Sequence, residues 1–572
     1  MSKRGRKDRM QRFASGGRVT NGNAALHGVE TPELIEKSAP LPHAENSGRK
    51  RGASAAVMAS GYANHGASRT KRSLIGWNPG GGSAGTDIDL NLDMLRRRAR
   101  DLDAGGGLAR GAIRTLRTNV IAGGLMPNPK IDHETLGMSE DAAAEWQKKT
   151  LKEFLLWAES NDCDAAGRLN FFQLQRLAFL SYLMSGDVIA LLPVFEVQSQ
   201  PYQLHVRLLE ADRLGTPRSS GKSTVQTLNA GGVIIDGVET DKTGRIVAYH
   251  IANRHPFDNK TGTGQVEYVR IDARGKETNL PNVLHVMEME RPEQMRGVPF
   301  AAPMIEQLKQ LERYVGAELT ANIVASYLTV FLEQKVDTPD LGIGSPIPEE
   351  EQITDSETNL ELGPGTICKL PPGTHMSNVN PMRANASYAN YVDSITKQIG
   401  SSMEIPKEVL LKAFNSNYSA SRAALMEFWR TIPPYRKSFI GSFNDPIYQT
   451  WLYEAVAIGR VEAPGFFEDA AIRKAWSGIG WIGSQMGSLD PKKEVEASIL
   501  RINTGISTVE REAAETNGSN WEENAVQRKK EKEALGSLAE DVAKLKEPPG
   551  EEDEEDEGEE EEEIQKEGAE EE

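Results

Sequence analysis

Cysteine is nearly absent: two in 572 residues, Cys163 and Cys368, far apart and in no CxxC pair. That excludes a disulfide framework and a cysteine-knuckle metal site, and it fits a reducing compartment. Long apolar runs are missing too. The longest candidate, Ile323 to Leu332, is about half of the ~20 residues a bilayer span needs, and Ser326 and Thr329 interrupt it. A soluble chain with no membrane contact is therefore expected. The basic start is followed by no apolar segment, so no secretory signal is expected, and Asn417-Tyr418-Ser419 reads as a chance glycosylation match. The nine histidines form no HExxH and no cluster with cysteine, which leaves zinc hydrolysis without a visible ligand set.

Charge is present but segregated. The formal net charge of -17 conceals a basic start (Lys3, Arg4, Arg6, Lys7, Arg9, Arg12) and a nearly continuous acidic end from Glu551 to Glu572. Such blocks are usually solvated, and they leave a near-neutral body without the basic face of a general DNA binder. A nucleotide-binding candidate exists in Gly215-Thr-Pro-Arg-Ser-Ser-Gly221-Lys222-Ser223-Thr224. Five residues separate its glycines where a phosphate loop needs four, Pro217 sits inside, and no clear helix follows. An exposed turn between strands is the plainer reading. Loss of ATP turnover on Lys222→Ala would favour the alternative, a nucleotide-dependent DNA-translocating or hydrolytic enzyme using Gly221-Lys222-Ser223. His250 and His255 lack a third ligand, and His285 and Glu288 lie near a strand end, where a satisfied structural histidine is the plainer reading than a metal ligand. No GxSxG or legible Ser/His/Asp set is present.

Hydrophobic periodicity gives a coarse α+β layout. Residues 1–60 and the Gly-rich break from Asn78 to Gly85 carry no period. Helical patterning then begins at Asp89, resumes from Leu108 to Ile121, and continues in Glu140–Trp157 and Asn170–Met184. Short β-rich runs follow at 188–195, 204–209, 233–235, 246–251 and 283–287, and they look antiparallel. After Pro299 or Pro303, apolar residues from Met304 through Leu319 to Phe331 recur at three or four residues. This predicts one long helix, a rod of about 45 Å at ~1.5 Å per residue. A Gly/Pro/Thr-rich module (334–385) precedes a helix over Ser387–Met403 with a stripe of Val392, Ile395, Ile399 and Met403. A short loop leads into another helix from Ser419 past Pro433-Pro434 to about Ile458. Leu535, Leu538, Val542 and Leu545 have heptad spacing over too few turns to establish a coiled coil.

Several strings occur in an order that resembles one family. They begin with Tyr62-Ala-Asn-His-Gly-Ala and Leu74-Ile-Gly-Trp77, then Leu95-Arg-Arg-Arg-Ala-Arg100-Asp101-Leu102 and Ala109-Arg110-Gly111 through Asn119-Val120-Ile121. Ser185-Gly186-Asp187, Leu209-Glu-Ala-Asp-Arg-Leu214 and Gly237-Val-Glu239 follow. The more specific ones are Val283-Leu-His-Val-Met287, Glu290-Arg291-Pro292 through Arg296-Gly297-Val298-Pro299, Asn417-Tyr418-Ser419-Ala-Ser-Arg422, and Asp490-Pro-Lys-Lys-Glu494. On these residues the chain resembles the lambda-type phage portal proteins from about Tyr62 to Leu538. It departs from the family around Ile405-Pro406-Lys407-Glu408, and at Glu293, where the family tends to have glycine.

The resemblance implies a portal fold: a β-rich wing, a two-helix stem, a small α/β clip and a helical crown. Mapped onto this chain, residues 1–60 would be a flexible basic arm, 61–298 the wing, 299–333 the first stem helix, 334–385 the clip and 386–404 the second stem helix. Residues 405–418 would be the tunnel loop, 419–480 the long wing helix and its connection, 481–548 the crown and 549–572 an acidic disordered tail. The implied function is a ring of twelve copies at one capsid vertex, through which double-stranded DNA is packaged and ejected, without enzymatic activity or cofactor. Implied partners are the terminase large subunit, head-completion or adaptor proteins, and the major capsid and scaffold proteins. The implied location is the virion, and the host cytoplasm during assembly. A ring closed by head-to-tail contacts uses two different faces of each subunit. DNA that must slide calls for sparse phosphate contacts rather than base reading. On this basis Lys407, Lys412, Asn415 and Asn417 are the expected DNA-facing residues of the tunnel loop. Arg291, Arg296, Gly297, Asn417, Tyr418, Ser419 and Arg422 are expected to be structural, and no metal site is expected.

Overall fold

The computed structural model describes residues 67–68, 71–217, 225–228, 231–258, 266–326, 330–332, 367–369, 387–414, 418–486, 491–517 and 521–535. Helix α1 (Ala84–Gly105) starts five residues before the expected Asp89, because the Ser83 hydroxyl caps it by accepting from the Thr86 N–H. It stops at Gly106, beyond which α2 (Gly107–Val120) runs on. Strand β1 (Met126–Pro129) and the single turn α3 (His133–Leu136) lead to α4 (Glu140–Ala158). Helix α5 (Phe171–Ser185) opens with a reciprocal capping box between Asn170 and Gln173.

The β region is antiparallel as expected, but it divides in two. Strands β2 (Asp187–Leu191) and β3 (Arg207–Glu210) form a small sheet in which β2 is central, its other neighbour being β9 (Val283–Met287). A five-stranded meander joins β4 (Val225–Thr227), β5 (Val233–Ile235), β6 (Val238–Thr240), β7 (Ile246–Ala252) and β8 (Tyr268–Asp272). In this meander sequence patterning misses β4, β6 and β8. The β5–β6 turn is Asp236-Gly237, both with positive φ (41° and 88°), the two-residue turn whose twist suits a hairpin.

Two proline-bounded segments then leave and re-enter the body. After a 3₁₀ turn at Ala302–Met304, α6 (Ile305–Ser326) extends for 22 residues, about 33 Å. The expected continuation to Phe331 does not occur: β10 (Val330–Leu332) is extended and pairs in parallel with β11 (Ile367–Lys369). Val330 and Phe331 fit helical spacing and a β-strand equally well, and the β11 edge decides between them. The remainder of 334–385 lies outside the described residues. Helix α7 (Tyr388–Ser402) returns alongside α6, and the Tyr314 ring sits 5.7 Å from Tyr388 and 4.5 Å from Tyr391.

A short helix, α8 (Lys407–Leu411), occupies much of the expected tunnel loop, with Val409 and Leu410 buried. Helix α9 (Tyr418–Phe439) passes through Pro433 and Pro434, widens into a π-turn at Ile440–Asn444 and continues as α10 (Asp445–Ala457). A proline lacks the N–H of an ordinary turn, and a π-turn re-registers the ladder beyond it. Helix α11 (Ala470–Trp476) precedes β12 (Ile479–Ile482), which pairs with β1. The last described elements are α12 (Pro491–Asn503), α13 (Val509–Asn517) and α14 (Trp521–Leu535).

Length suggests two to four separate units. Burial instead gathers apolar residues from Ala99 to Trp476 into one contiguous cluster, with a smaller second cluster around Ile189, Val238 and Tyr249. Phe154 of α4 lies at its centre, 4.9 Å from Trp451 and 5.4 Å from Tyr448 of α10 and 5.7 Å from Phe171 of α5. Helices before α6 and helices after α7 thus share one core.

Candidate functional site

Four of the sequence blocks that carry the resemblance, those around Arg96, Asp187, Asp212 and Arg296, converge in space on one buried charge cluster. Leu92, Arg96 and Ala99 lie on one face of α1, so a guanidinium replaces an apolar side chain on the buried stripe. Arg96 donates from Nε to the Ser185 carbonyl (2.9 Å) and from Nη2 to Asp187 Oδ1 (2.7 Å). One turn on, Arg100 donates to Ser185 Oγ and pairs with Asp212. Arg296, fully buried, donates from Nε to Asp187 Oδ2 (2.7 Å) and from Nη1 to Asp236 Oδ2 (2.6 Å). It also donates to the carbonyls of Ala211 (2.7 Å), Leu214 (3.1 Å) and Asp236 (2.9 Å). His285 Nε2 stands 3.1 Å from Asp187 Oδ2, where an N–H on that nitrogen supplies a further donor.

Electrostatics follow from this geometry. Burial alone would raise the Asp187 carboxyl, but Arg296, Arg96 and the His285 hydrogen bond hold it well below the usual carboxylate range. Burial would lower Arg296, and Asp187 and Asp236 override it in the upward direction. Arg96 is lowered to about 10, by burial first and then by Arg296. The low Asp187 contributes stability that is present at neutral pH and lost as pH falls through the acid range.

Gly186 and Gly297 close the cluster. A Cβ on Gly297 would meet the Gly186 carbonyl oxygen at 1.9 Å, and one on Gly186, whose φ is +88°, would meet the Gly297 oxygen at 2.4 Å. Two backbones therefore touch where only hydrogen fits. Arg291, at the near end of the same strap, donates to Asp87 Oδ2 (2.6 Å) and to the Gly82 carbonyl (3.0 Å). Glu293 sits at φ +63°, a left-handed position that suits the glycine the family resemblance led one to expect.

Of the other expected site residues, Lys407 is the first residue of α8, and its Nζ lies 3.1 Å from Asp393 Oδ1 of α7. Lys412 caps that helix in the left-handed region and is exposed. Asn415, Asn417 and the Gly221-Lys222-Ser223 loop lie outside the described residues. Tyr418 is the first residue of α9, Ser419 is exposed, and Arg422 approaches Glu494 at 4.0 Å. A cleft of about 700 Å³ lies under the end of α7, lined by Glu288, Glu404, Glu427, Arg430 and Tyr435 among others. Its carboxylates would repel phosphate. Glu210, Asp212 and His255 are the grouping nearest to a cation site among the described residues, but Arg100 already neutralises Asp212.

Arg96, Arg100, Asp187, Asp212, Asp236 and His285 were not singled out from sequence as site residues. One signal was present for the arginines, which recur at i and i+4 on an apolar helical face. Asp187, Asp236 and His285 carry no such mark, because their partners lie about 100, 60 and 98 positions away.

The cluster binds backbone carbonyls and pairs charges; what it does chemically is hold segments together. It ties α1, the start of β2 and the β5–β6 turn to the strap of residues 291–298 that precedes α6. Residues 70–436 match the family described as "Phage portal protein, lambda family", and the chain belongs to that family. Its role is that of a phage portal protein, a component of the virion. The portal protein of Escherichia phage N15 and portal protein B of Escherichia phage lambda are each 23% identical over 478 residues, 80% of this chain and 87% of theirs. The probable portal protein of Halomonas phage phiHAP-1 is 24% identical over 438 residues, 75% of this chain and 77% of its own. A chain of "Neck of native GTA particle computed with C12 symmetry" aligns at 13% identity over 74% of this chain and 92% of that one, with a TM-score of 0.32.

Proposed function

We propose that copies of this chain close into a ring, with α6 and α7 side by side around an aqueous bore that passes double-stranded DNA during packaging and ejection. The observation that carries this reading is the α6–α7 pair itself. The two helices flank the 327–386 segment, are clasped by Tyr314 between Tyr388 and Tyr391, and still leave Val315, Leu319 and Tyr391 exposed. An apolar stripe left in water on a paired rod is the surface a neighbouring copy would cover. Twelve copies is the number the family implies. Lys407, Lys412, Asn415 and Asn417 would stand nearest the DNA. Lys412 is the better placed of the two lysines, since Lys407 already shares its charge with Asp393. Terminase, head-completion proteins, capsid and scaffold are the partners the family implies, with assembly in the host cytoplasm.

Electron microscopy of the purified chain tests the ring: cone-shaped particles with a central hole are expected, and compact monomers would overturn it. For the loop, rings carrying Lys412→Ala are expected to hold DNA with a shallower salt dependence than unaltered rings. An unchanged slope would remove Lys412 from the bore.

A further inference from the structure

Asp89 lies on α1 next to the cluster yet takes no part in its hydrogen bonds. It is 6% exposed, and among the described residues neither carboxylate oxygen has a hydrogen-bond partner. Charged groups face it from each surrounding element: Arg96 from α1 itself, Asp187 from the start of β2, Asp236 from the β5–β6 turn and Arg296 from the strap before α6. Beyond these stand His285 on β9, paired with Asp187, and Arg100 with Asp212, which His255 approaches at 3.9 Å. Four carboxylates (Asp89, Asp187, Asp212, Asp236) thus face three guanidiniums (Arg96, Arg100, Arg296), and the carboxylate in excess is the one without a donor. A bare buried carboxylate is costly, and a neutral carboxylic acid is far less so.

Its position gives that proton a consequence. Ala84, Ile88 and Leu92, on the same turns of α1, pack with Val298 in a small apolar cluster of their own. Asp87, two residues earlier, holds Arg291. The front half of α1 therefore clamps residues 291–298, the strap that leads directly into α6. We propose that Asp89 is a proton-operated latch: protonated, it lets α1 clamp the strap, and deprotonated, it loosens that clamp and frees the root of α6. The proposal stands on the single-chain geometry and does not depend on the ring.

Burial, followed by Asp236, raises the Asp89 carboxyl to about 6. Once α1 lifts away, an ordinary carboxylate value near ~4 is expected. The latched form then binds the proton more tightly, so its advantage is full at low pH and is lost as pH rises through about 6. Hydrogen exchange of the full-length protein between pH 5 and 7.5, corrected for the intrinsic rate, tests this. Opening of α1 and of residues 291–298 is expected to rise about tenfold across that range, the equivalent of one pH unit of proton release. Asp89→Asn, which mimics the neutral acid, is expected to flatten the profile, whereas Asp87→Asn is expected to keep its slope. Infrared difference spectra at pH 5.5 are expected to show a protonated carboxyl band that Asp89→Asn removes. A flat wild-type profile, a sloping Asp89→Asn profile, or absence of that band would each overturn the latch.

Discussion

The charge cluster at the heart of the fold and the α12–α14 region use the same residue types in opposite ways. In the heart, Arg96, Asp187 and Arg296 are essentially sealed from water, and each is spent on a partner within the chain. In α12 no residue is buried, and Val495, Ile499 and Leu500 are all more than half exposed. There charge serves as a tie between surface elements, as in the bidentate Arg501–Glu512 pair between α12 and α13 (2.8 and 2.6 Å) and the contact of Glu510 with Lys130, just beyond β1 (2.6 Å). A single copy thus pairs most of the charges in this cluster, Asp89 excepted, and leaves part of its apolar exterior uncovered. That is the arrangement expected of a subunit whose fold is settled before its neighbours arrive.

The comparison breaks most forcefully at Arg296. Arg296→Met leaves Asp187 and Asp236 without their principal counter-ion and frees three carbonyls, so a loss of about 3–5 kcal/mol in denaturant unfolding is expected. Arg296→Lys is expected to rescue little of it, since one ammonium cannot reproduce the fork. A loss below about 1 kcal/mol would mean that the cluster is dispensable. Gly297→Ala forces a methyl onto the Gly186 carbonyl and is expected to cost about 1–3 kcal/mol, read in the same assay.

Smaller effects sharpen the contrast. Glu293→Gly is expected to stabilise by about 0.5–1 kcal/mol, because glycine relieves the left-handed position at little cost. Leu319→Asp on the exposed α6 face is expected to leave monomer stability within about 0.5 kcal/mol while abolishing rings in micrographs. Lys407→Ala is expected to change stability by less than about 1 kcal/mol, the usual worth of a solvent-exposed pair. If Lys407→Ala rivalled Arg296→Met, the division between a finished interior and an open exterior would fail.

Much of the layout was legible because it rests on local rules. Tyr388–Ser402 falls within a residue of its expected bounds, since a narrow apolar stripe ending at Pro406 leaves few alternatives. The β9 bounds also match, where a β-branched run meets turn residues. The failures are equally local in cause. At Gly80–Gly85 the glycines hid the Ser83 cap, and at Val330–Leu332 an apolar run continued helical spacing while pairing as a strand. Residues 405–418, expected as a loop, contain α8, a turn too short to show a period.

By itself the sequence determined the order of elements, the family, the apolar faces of the paired helices and the glycines that tolerate no side chain. Those are properties of neighbours along the chain or of strings met in a fixed order. Only the tertiary structure decided which charges meet. Arg96, Asp187, Asp236 and Arg296 are brought together from four separated elements, and a carboxylate's behaviour depends on the number of donors that reach it. Asp187 and Asp89 are the same residue type in the same cluster, yet the three partners aimed at Asp187 hold its carboxyl well below the usual range while burial raises that of Asp89 to about 6.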